Sequence, residues 1–398
     1  MKTRLLFPAC DLDSAALPPA DPDLVVDLEL DRLFAAMAAG DATIEVVARA
    51  VLPIGAREAP DSTGAPEPSL VLARQALVAD ALANPAVVRE LYRLASDAVE
   101  AERRVWGGAL RNAELVLHRS VEVTRGLLDA VTAMRDLLAR DRAALRSAAL
   151  LGLADRLAAD IDEAFLRTAR AQLATLEART LVVTAGLGPG NRAAGFTLRR
   201  AVDRRAALRE RVGLARSRSY AVDVTLHDQN AMNALAELRA RAVTPVAAAL
   251  AESAAHLLGF CRRLRDETAF LVGCANLAQA LSTVGVGLTM PEVAAPGTRG
   301  LAAAAIVDPC LALAIGGGVT PNDLDTVGCA LTVITGANGG GKSTVLRAVG
   351  IAQLLLNAGM LSRPLGCEAS ADGVRVHFPR GEGDGQGAGP PDAELDAR

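Results

Sequence analysis

The sequence predicts a mostly α-helical chain in which long helices lead into a partial α/β domain built on a phosphate-binding loop. Three observations carry that prediction. Hydrophobic residues make up 51% of the 398 positions and aromatics only 3%, so Ala, Leu and Val must fill the core, a composition that favours helices. Proline is almost missing between about Pro85 and Glu177 and does not recur between Pro245 and Pro291, which leaves room for long helices. From Val284 the composition turns to Gly, Val and Ala, and short β-like pieces precede Gly336-x-x-x-x-Gly341-Lys342-Ser343, the phosphate-loop pattern.

Composition also sets outer limits. With 42 Lys+Arg against 46 Asp+Glu the formal charge is −4, so nothing global draws the chain to nucleic acid and any polyanion site must be local. Charged residues at 22% beside abundant aliphatics exclude a wholly disordered chain. Only Lys2 and Lys342 are lysines, which makes a lysine inside the loop pattern notable. The six cysteines form no CxxC and the four histidines no HExxH, so reduced thiols are expected, without structural zinc or a disulfide framework. The N-terminal Leu5–Phe7 run is too short for a secretory leader, and no uninterrupted apolar run reaches membrane-spanning length. The expectation is a soluble, cytoplasmic protein with no membrane partner.

In chain order, residues 1–85 alternate apolar helical stretches (Leu30 to Ala39, Leu70 to Ala83) with Pro/Gly-rich connections and predict a loosely organised N-terminal helical cap. Residues 86–283 predict a helical region. Leu127, Val131, Met134 and Leu138 recur at steps of four, three and four with Arg135, Asp136 and Arg140 outside the stripe, a helix-on-helix core pattern. A β-branched start and four glycines within 181–200 predict a short hairpin inserted among the helices. Its GLGPGN lacks dinucleotide-loop spacing and reads as a turn. Eight arginines between Arg199 and Ser219, against Asp203 and Glu210, give a local charge of +6 in an acidic chain. Arg199, Arg200, Arg204, Arg205, Arg209 and Arg211 are therefore candidates for phosphate-backbone contact, with a solvated helix face as the alternative. Asp228 to Arg241 predicts one helix; Thr244 as N-cap and Pro245 in a first turn predict another reaching about Leu281, roughly 55 Å long.

Residues 284–398 predict the α/β part, with β-like pieces at Ala304–Val307, Leu311–Ala314 and Leu331–Thr335 and a Gly-rich tail from Arg380. The buried-strand run Leu331–Thr335 leads into the loop, and an amphipathic helix from about Ser343 to Asn357 leads out, closed by Gly359. The chemistry follows from the residue types. Glycines at 336, 339, 340 and 341 let the backbone of Gly336 to Gly341, with Ala337 and Asn338 between them, turn its N–H groups onto a polyanion. The helix beginning near Ser343 and Thr344 adds its positive dipole end. Lys342 would meet the β- and γ-phosphates, and the Ser343 hydroxyl would ligate Mg²⁺.

GANGGGKST resembles both the ABC/SMC group and the MutS group. Position separates them, because more than 300 mostly helical residues precede the loop here. VDPCLALAIGGGVTPNDLD (Val307 to Asp325) is similar to the MutS segment of the form "HP-hydrophobic…PNDL", and QLLLNAGMLSRPLGCEASADGVRVHF (Gln353 to Phe378) to the stretch that follows the MutS loop helix. The segment from Leu226 to Leu281 looks like the returning lever helices. The resemblance to MutS mismatch-repair proteins runs from about residue 20 to the end. It implies a core and lever region followed by an ATPase domain, ATP and Mg²⁺ as cofactors, mismatched or branched double-stranded DNA as partner, and a homodimer.

The sequence departs from the family at three places. No Phe-x-Glu wedge motif occurs. After Lys342 no acid closes a run of four hydrophobic residues, so the Walker B Asp-Glu pair and the Ser-rich signature are missing and the chain is expected to stop partway through the ATPase domain. The aromatic that stacks on adenine before "PND" is replaced, with Val319 and Thr320 preceding Pro321. ATP binding is thus encoded more fully than hydrolysis, which is not expected of this chain alone. Two alternatives stand beside this reading: a truncated, non-catalytic MutS homologue with a helical scaffold and weak or no nucleotide binding, and an SMC-like structural ATPase fragment.

Overall fold

A computed structural model describes residues 1–12, 22–55, 67–105, 113–177, 182–187, 193–199, 229–294, 300–337, 339–362, 365–369 and 374. The chain is mostly α-helical. The helices run α1 Pro22–Asp27, α2 Leu30–Ala38, α3 Ala42–Gly55, α4 Pro68–Ala83, α5 Pro85–Val105, α6 Ala113–Asp141, α7 Ala148–Asp160 and α8 Glu163–Glu177. A hairpin of β1 Val182–Leu187 and β2 Ala193–Arg199 pairs antiparallel, as the sequence predicts, and is followed by the long α9 Gln229–Thr283. The remaining elements are β3 Glu292–Val293, β4 Leu301–Ile306, α10 Pro309–Ile315, β5 Asn322–Asp325, α11 Lys342–Asn357 and β6 Leu365–Ala369.

Helix α9 is the spine, packed along α5 and α6 and, toward its C-terminal end, on α2 and α3. The predicted stripe on α6 is buried as expected: Leu127 is 2% exposed, and Val131, Met134 and Leu138 are 0%. Gly273 sets the close crossing with α2 and α3, since a Cβ there would stand 3.1 Å from Met37 Cε and 3.2 Å from Ile44 Cγ2. The expected break at Thr244 and Pro245 is corrected: α9 continues through Pro245. Proline removes one helical hydrogen bond, and the buried neighbours Val243 and Ala247 pack in a cluster with Leu117, Val121, Leu128 and Leu173 that holds the helix across it. The stretch Val243–Thr283 is long and apolar enough by composition to cross a membrane. Here Phe260, Cys261, Leu264, Phe270 and Leu271 face the helical core.

The N-terminal residues, expected to be loosely organised, are instead part of that core. Leu5, Leu6 and Phe7 are 2% exposed and Leu12 is 0%. The segment threads between helices because its main chain is satisfied by side chains rather than by a sheet. Glu267 Oε1 on α9 accepts from Leu5 N at 3.0 Å and Leu6 N at 3.1 Å. Arg156 Nη2 donates to Thr3 O at 2.7 Å, and Arg74 Nε to Leu6 O at 3.3 Å, with its guanidinium 4.7 Å from the centre of the Phe7 ring. Asp80 makes a second buried key. Its Oδ2 accepts from Arg146 N, Ser147 N and Ser147 Oγ at 2.8, 2.7 and 2.8 Å and ties α4 to the turn before α7.

Two expectations in the C-terminal region are also corrected. Leu311–Ala314 is helical, within α10, because Asp308 caps it and Pro309 opens it. Leu331–Thr335 is irregular rather than a buried strand, with Leu331 81% and Val333 71% exposed. The described sheet, in order β3-β6-β4-β5, is antiparallel except at β3-β6 and does not include it. Without parallel neighbours a strand of this kind has nothing to bury it. The sheet packs Leu301, Ala303 and Ile306 on Ala348, Ala352 and Leu356 of α11 and Val71 of α4, which places the start of α11 beside the end of β4.

Candidate functional site

The loop that enters α11 is built by two backbone requirements. Gly341 takes the N-cap position with φ 83° and Gly339 has φ 78°, left-handed values that glycine adopts without strain. Gly340 faces Ala337 O, which a Cβ would approach to 3.0 Å. The turn closes with Gly340 N donating to Ala337 O at 3.1 Å, and the helix starts with Val345 N donating to Gly341 O at 3.0 Å. Lys342 is folded onto the loop, its Nζ donating to Gly336 O at 2.8 Å and Ala337 O at 2.7 Å. These are carbonyl partners for a cation standing where the pattern expects an anion to lie. Ser343 is exposed and Thr344 half-buried at the same helix start.

Beside the loop lies a cleft of about 320 Å³, in the range of small-ligand sites. Gly340, Gly341 and Thr344 form its loop end. Leu311, Val319, Val345 and Ala348 give it an aliphatic wall, and Thr320 and Asn322 form its rim. Asp308 lies at the back, 1% exposed, and its Oδ1 accepts from Cys310 N at 2.9 Å and Leu311 N at 3.0 Å. Burial pushes its carboxyl up, while the Leu311 amide and Arg347 pull it back. Arg347, one turn beyond Ser343, places Nε 3.2 Å from Asp308 Oδ2 and pairs through Nη1 with Glu29 Oε1. Glu29 itself sits in the left-handed region, φ 54°, at the corner between α1 and α2.

The far end of α11 is fixed as firmly. Gly359, φ +73°, closes a Schellman turn in which Met360 N donates to Leu355 O and Gly359 N to Leu356 O, both at 2.8 Å. Arg74 Nη1 donates to Asn357 O at 2.9 Å. The loop helix is thus tied at one end to the α1–α2 corner and at the other to α4 and the N-terminal segment.

Eight of the nine sequence-predicted loop residues, Gly336, Ala337, Gly339, Gly340, Gly341, Lys342, Ser343 and Thr344, come together in this one turn; Asn338 lies outside the described residues. Arg199 ends β2, and Arg200, Arg204, Arg205, Arg209 and Arg211 lie outside the described residues. Among the described residues no cluster of three or more His, Cys, Asp or Glu could hold a metal. Sequence reasoning missed Asp308, Arg347 and Glu29. An Asp-Pro pair is a helix-start signal and could have revealed the first; the pairing with Glu29 spans more than 300 positions and leaves no local trace.

The MutS2 N-terminal domain family matches residues 67–284, more than half of the chain. The chain belongs to this family. No curated protein matches it. The matched residues of this MutS2 N-terminal domain chain begin at α4 and run to the end of α9, so membership of a MutS-related family is carried by the helical body, while the Gly336–Thr344 loop lies beyond the match.

Proposed function

We propose that this chain is a MutS-related DNA-repair protein that binds ATP with Mg²⁺ at Gly336–Thr344 and grips double-stranded DNA, mismatched or branched, with its helical body. The supporting observation is the loop itself. Left-handed Gly339 and Gly341 and the sole lysine of the region converge at the N-terminus of a 16-residue helix that opens on a cleft, an arrangement suited to a polyphosphate. The groups fit the cofactor in part: loop amides and Lys342 meet phosphate charge, and the exposed Ser343 hydroxyl is the one protein oxygen we assign to Mg²⁺. Bound Mg²⁺ would offset triphosphate charge, and the other acids that position a hydrolytic water have no counterpart in the sequence after Lys342. Hydrolysis by the chain alone is therefore expected to be negligible. A P-loop α/β ATPase domain, a homodimer and a cytoplasmic location complete this reading.

A second reading is favoured by the exposure of Leu331 and Val333: a non-catalytic scaffold whose loop lacks the strand that would hold it and binds nucleotide weakly or not at all. Thermal unfolding separates the two. Mg·ATP at 100 times its Kd raises stability by about 2.7 kcal/mol in a binding protein, and the first reading expects that rise in the parent and its loss in Lys342→Ala. No rise in the parent at millimolar Mg·ATP favours the scaffold. For DNA, neutralising Arg204, Arg205, Arg209 and Arg211 together is expected to weaken binding across all sequences. It should also flatten the plot of log affinity against log salt by roughly 0.9 for each phosphate that the variant no longer neutralises. An unchanged slope moves the DNA-gripping surface to α9.

A further inference from the structure

We infer that the cleft beside the loop recognises the polyphosphate chain and not the base, so that its ligand class is any nucleoside 5′-triphosphate. This rests on the phosphate-loop reading above and names the substrate class of that same site. All the features suited to anion recognition stand at one end: Gly340, Gly341 and Thr344 line it, and Lys342 arches over the loop. The rest of the wall is aliphatic, supplied by Leu311, Val319, Val345 and Ala348. Among the described residues no aromatic ring lines the cleft, so a base finds apolar contact without stacking.

Nor does the polar lining offer a base edge a committed partner. Asp308 spends Oδ1 on two main-chain amides, while its Oδ2 makes no hydrogen bond and lies 3.2 Å from Arg347 Nε, an ion pair that holds its charge. Asn322 Nδ2 donates to Thr320 O at 3.4 Å, and both residues sit on the exposed rim where water competes for them. Strong discrimination requires buried polar groups that one ligand satisfies and another leaves unpaired. Among the described residues the one buried side-chain polar atom of this wall without a hydrogen bond is Asp308 Oδ2, and Arg347 holds it as an ion pair rather than leaving it to a base.

The test is calorimetric titration of the full chain with the Mg²⁺ complexes of ATP, GTP, CTP, UTP and inorganic tripolyphosphate. The four nucleotides are expected to agree in Kd to within about tenfold, with tripolyphosphate binding measurably. A preference for ATP greater than tenfold, or no binding of tripolyphosphate while nucleotides bind, overturns the inference and leaves the loop reading standing. No binding of any of the five removes the loop reading and this inference with it. Val319→Phe, a change at a half-buried wall position, supplies the missing ring. It is expected to tighten all four nucleotides at least about fivefold and to leave tripolyphosphate unchanged, since stacking on an aromatic is worth at least that much to any base; no tightening, or equal tightening of tripolyphosphate, overturns the placement of the base against Val319.

Discussion

Single buried charges do much of the organising here, and Glu267 is the clearest case. It is 0% exposed, its Oε1 holds the Leu5 and Leu6 amides, and its Oε2 makes no hydrogen bond. Burial, helped by the charge of Asp11, pushes its carboxyl up from 4.5 to about 7 against the pull of the nearby Thr3 hydroxyl and those amides. The folded chain therefore binds this proton more tightly than the unfolded chain, and its contribution to stability is present below the ordinary value and lost as pH rises toward about 7. The stability of the parent relative to Glu267→Gln should fall by on the order of 3 kcal/mol between pH 4.5 and 8. Chemical denaturation at the two pH values measures it, and a constant gap would contradict the account. None of this was legible in the sequence, where Glu267 stands in RDE on a helix like any solvated acid. Lys342 was legible, because a rare residue in a spaced glycine pattern needs no tertiary partner to be recognised.

At the scale of elements, legibility followed the range of the forces that shape each one. The α6 stripe and the hairpin at 182–199 depend on local periodicity and turn residues, and both were readable. The end of α11 was readable too, because only glycine suits the left-handed Gly359. That site makes a sharp prediction: a Cβ at 359 would lie 2.4 Å from Arg74 Cβ and 2.7 Å from Arg74 C. Gly359→Ala should cost at least about 2 kcal/mol, combining left-handed strain with that collision. A midpoint within error of the parent in urea unfolding would show that the turn and α4 are not so placed. Leu331–Thr335 went the other way, since its apolar, β-branched pattern suits a buried strand but burial is conferred by neighbours. With Val333 71% exposed, Val333→Asp should change stability by less than about 0.5 kcal/mol. A drop of several kcal/mol would mean that the segment is covered in solution.

The described residues form one helical body, with the Gly336–Thr344 loop fastened to it at both ends of a single helix. One apolar cluster runs from Leu5 to Met360, and Arg347 to Glu29 and Arg74 to Asn357 tie the loop helix to residues far earlier in the chain. Sequence reading recognised the helical class and the MutS-related family from patterns spread along the chain. It could not see that Leu5, Leu6, Phe7 and Leu12 belong to the core, because the partners of their segment, Glu267, Arg156 and Arg74, are scattered over three helices. The central claim is that this body carries a working triphosphate loop. Equilibrium titration of Mg·ATP into the parent chain and into Lys342→Ala tests it most directly. Removing the lysine's charge-assisted hydrogen bonds to phosphate should weaken binding by at least about 2 kcal/mol, roughly thirtyfold. Equal affinity in the two proteins would contradict the claim.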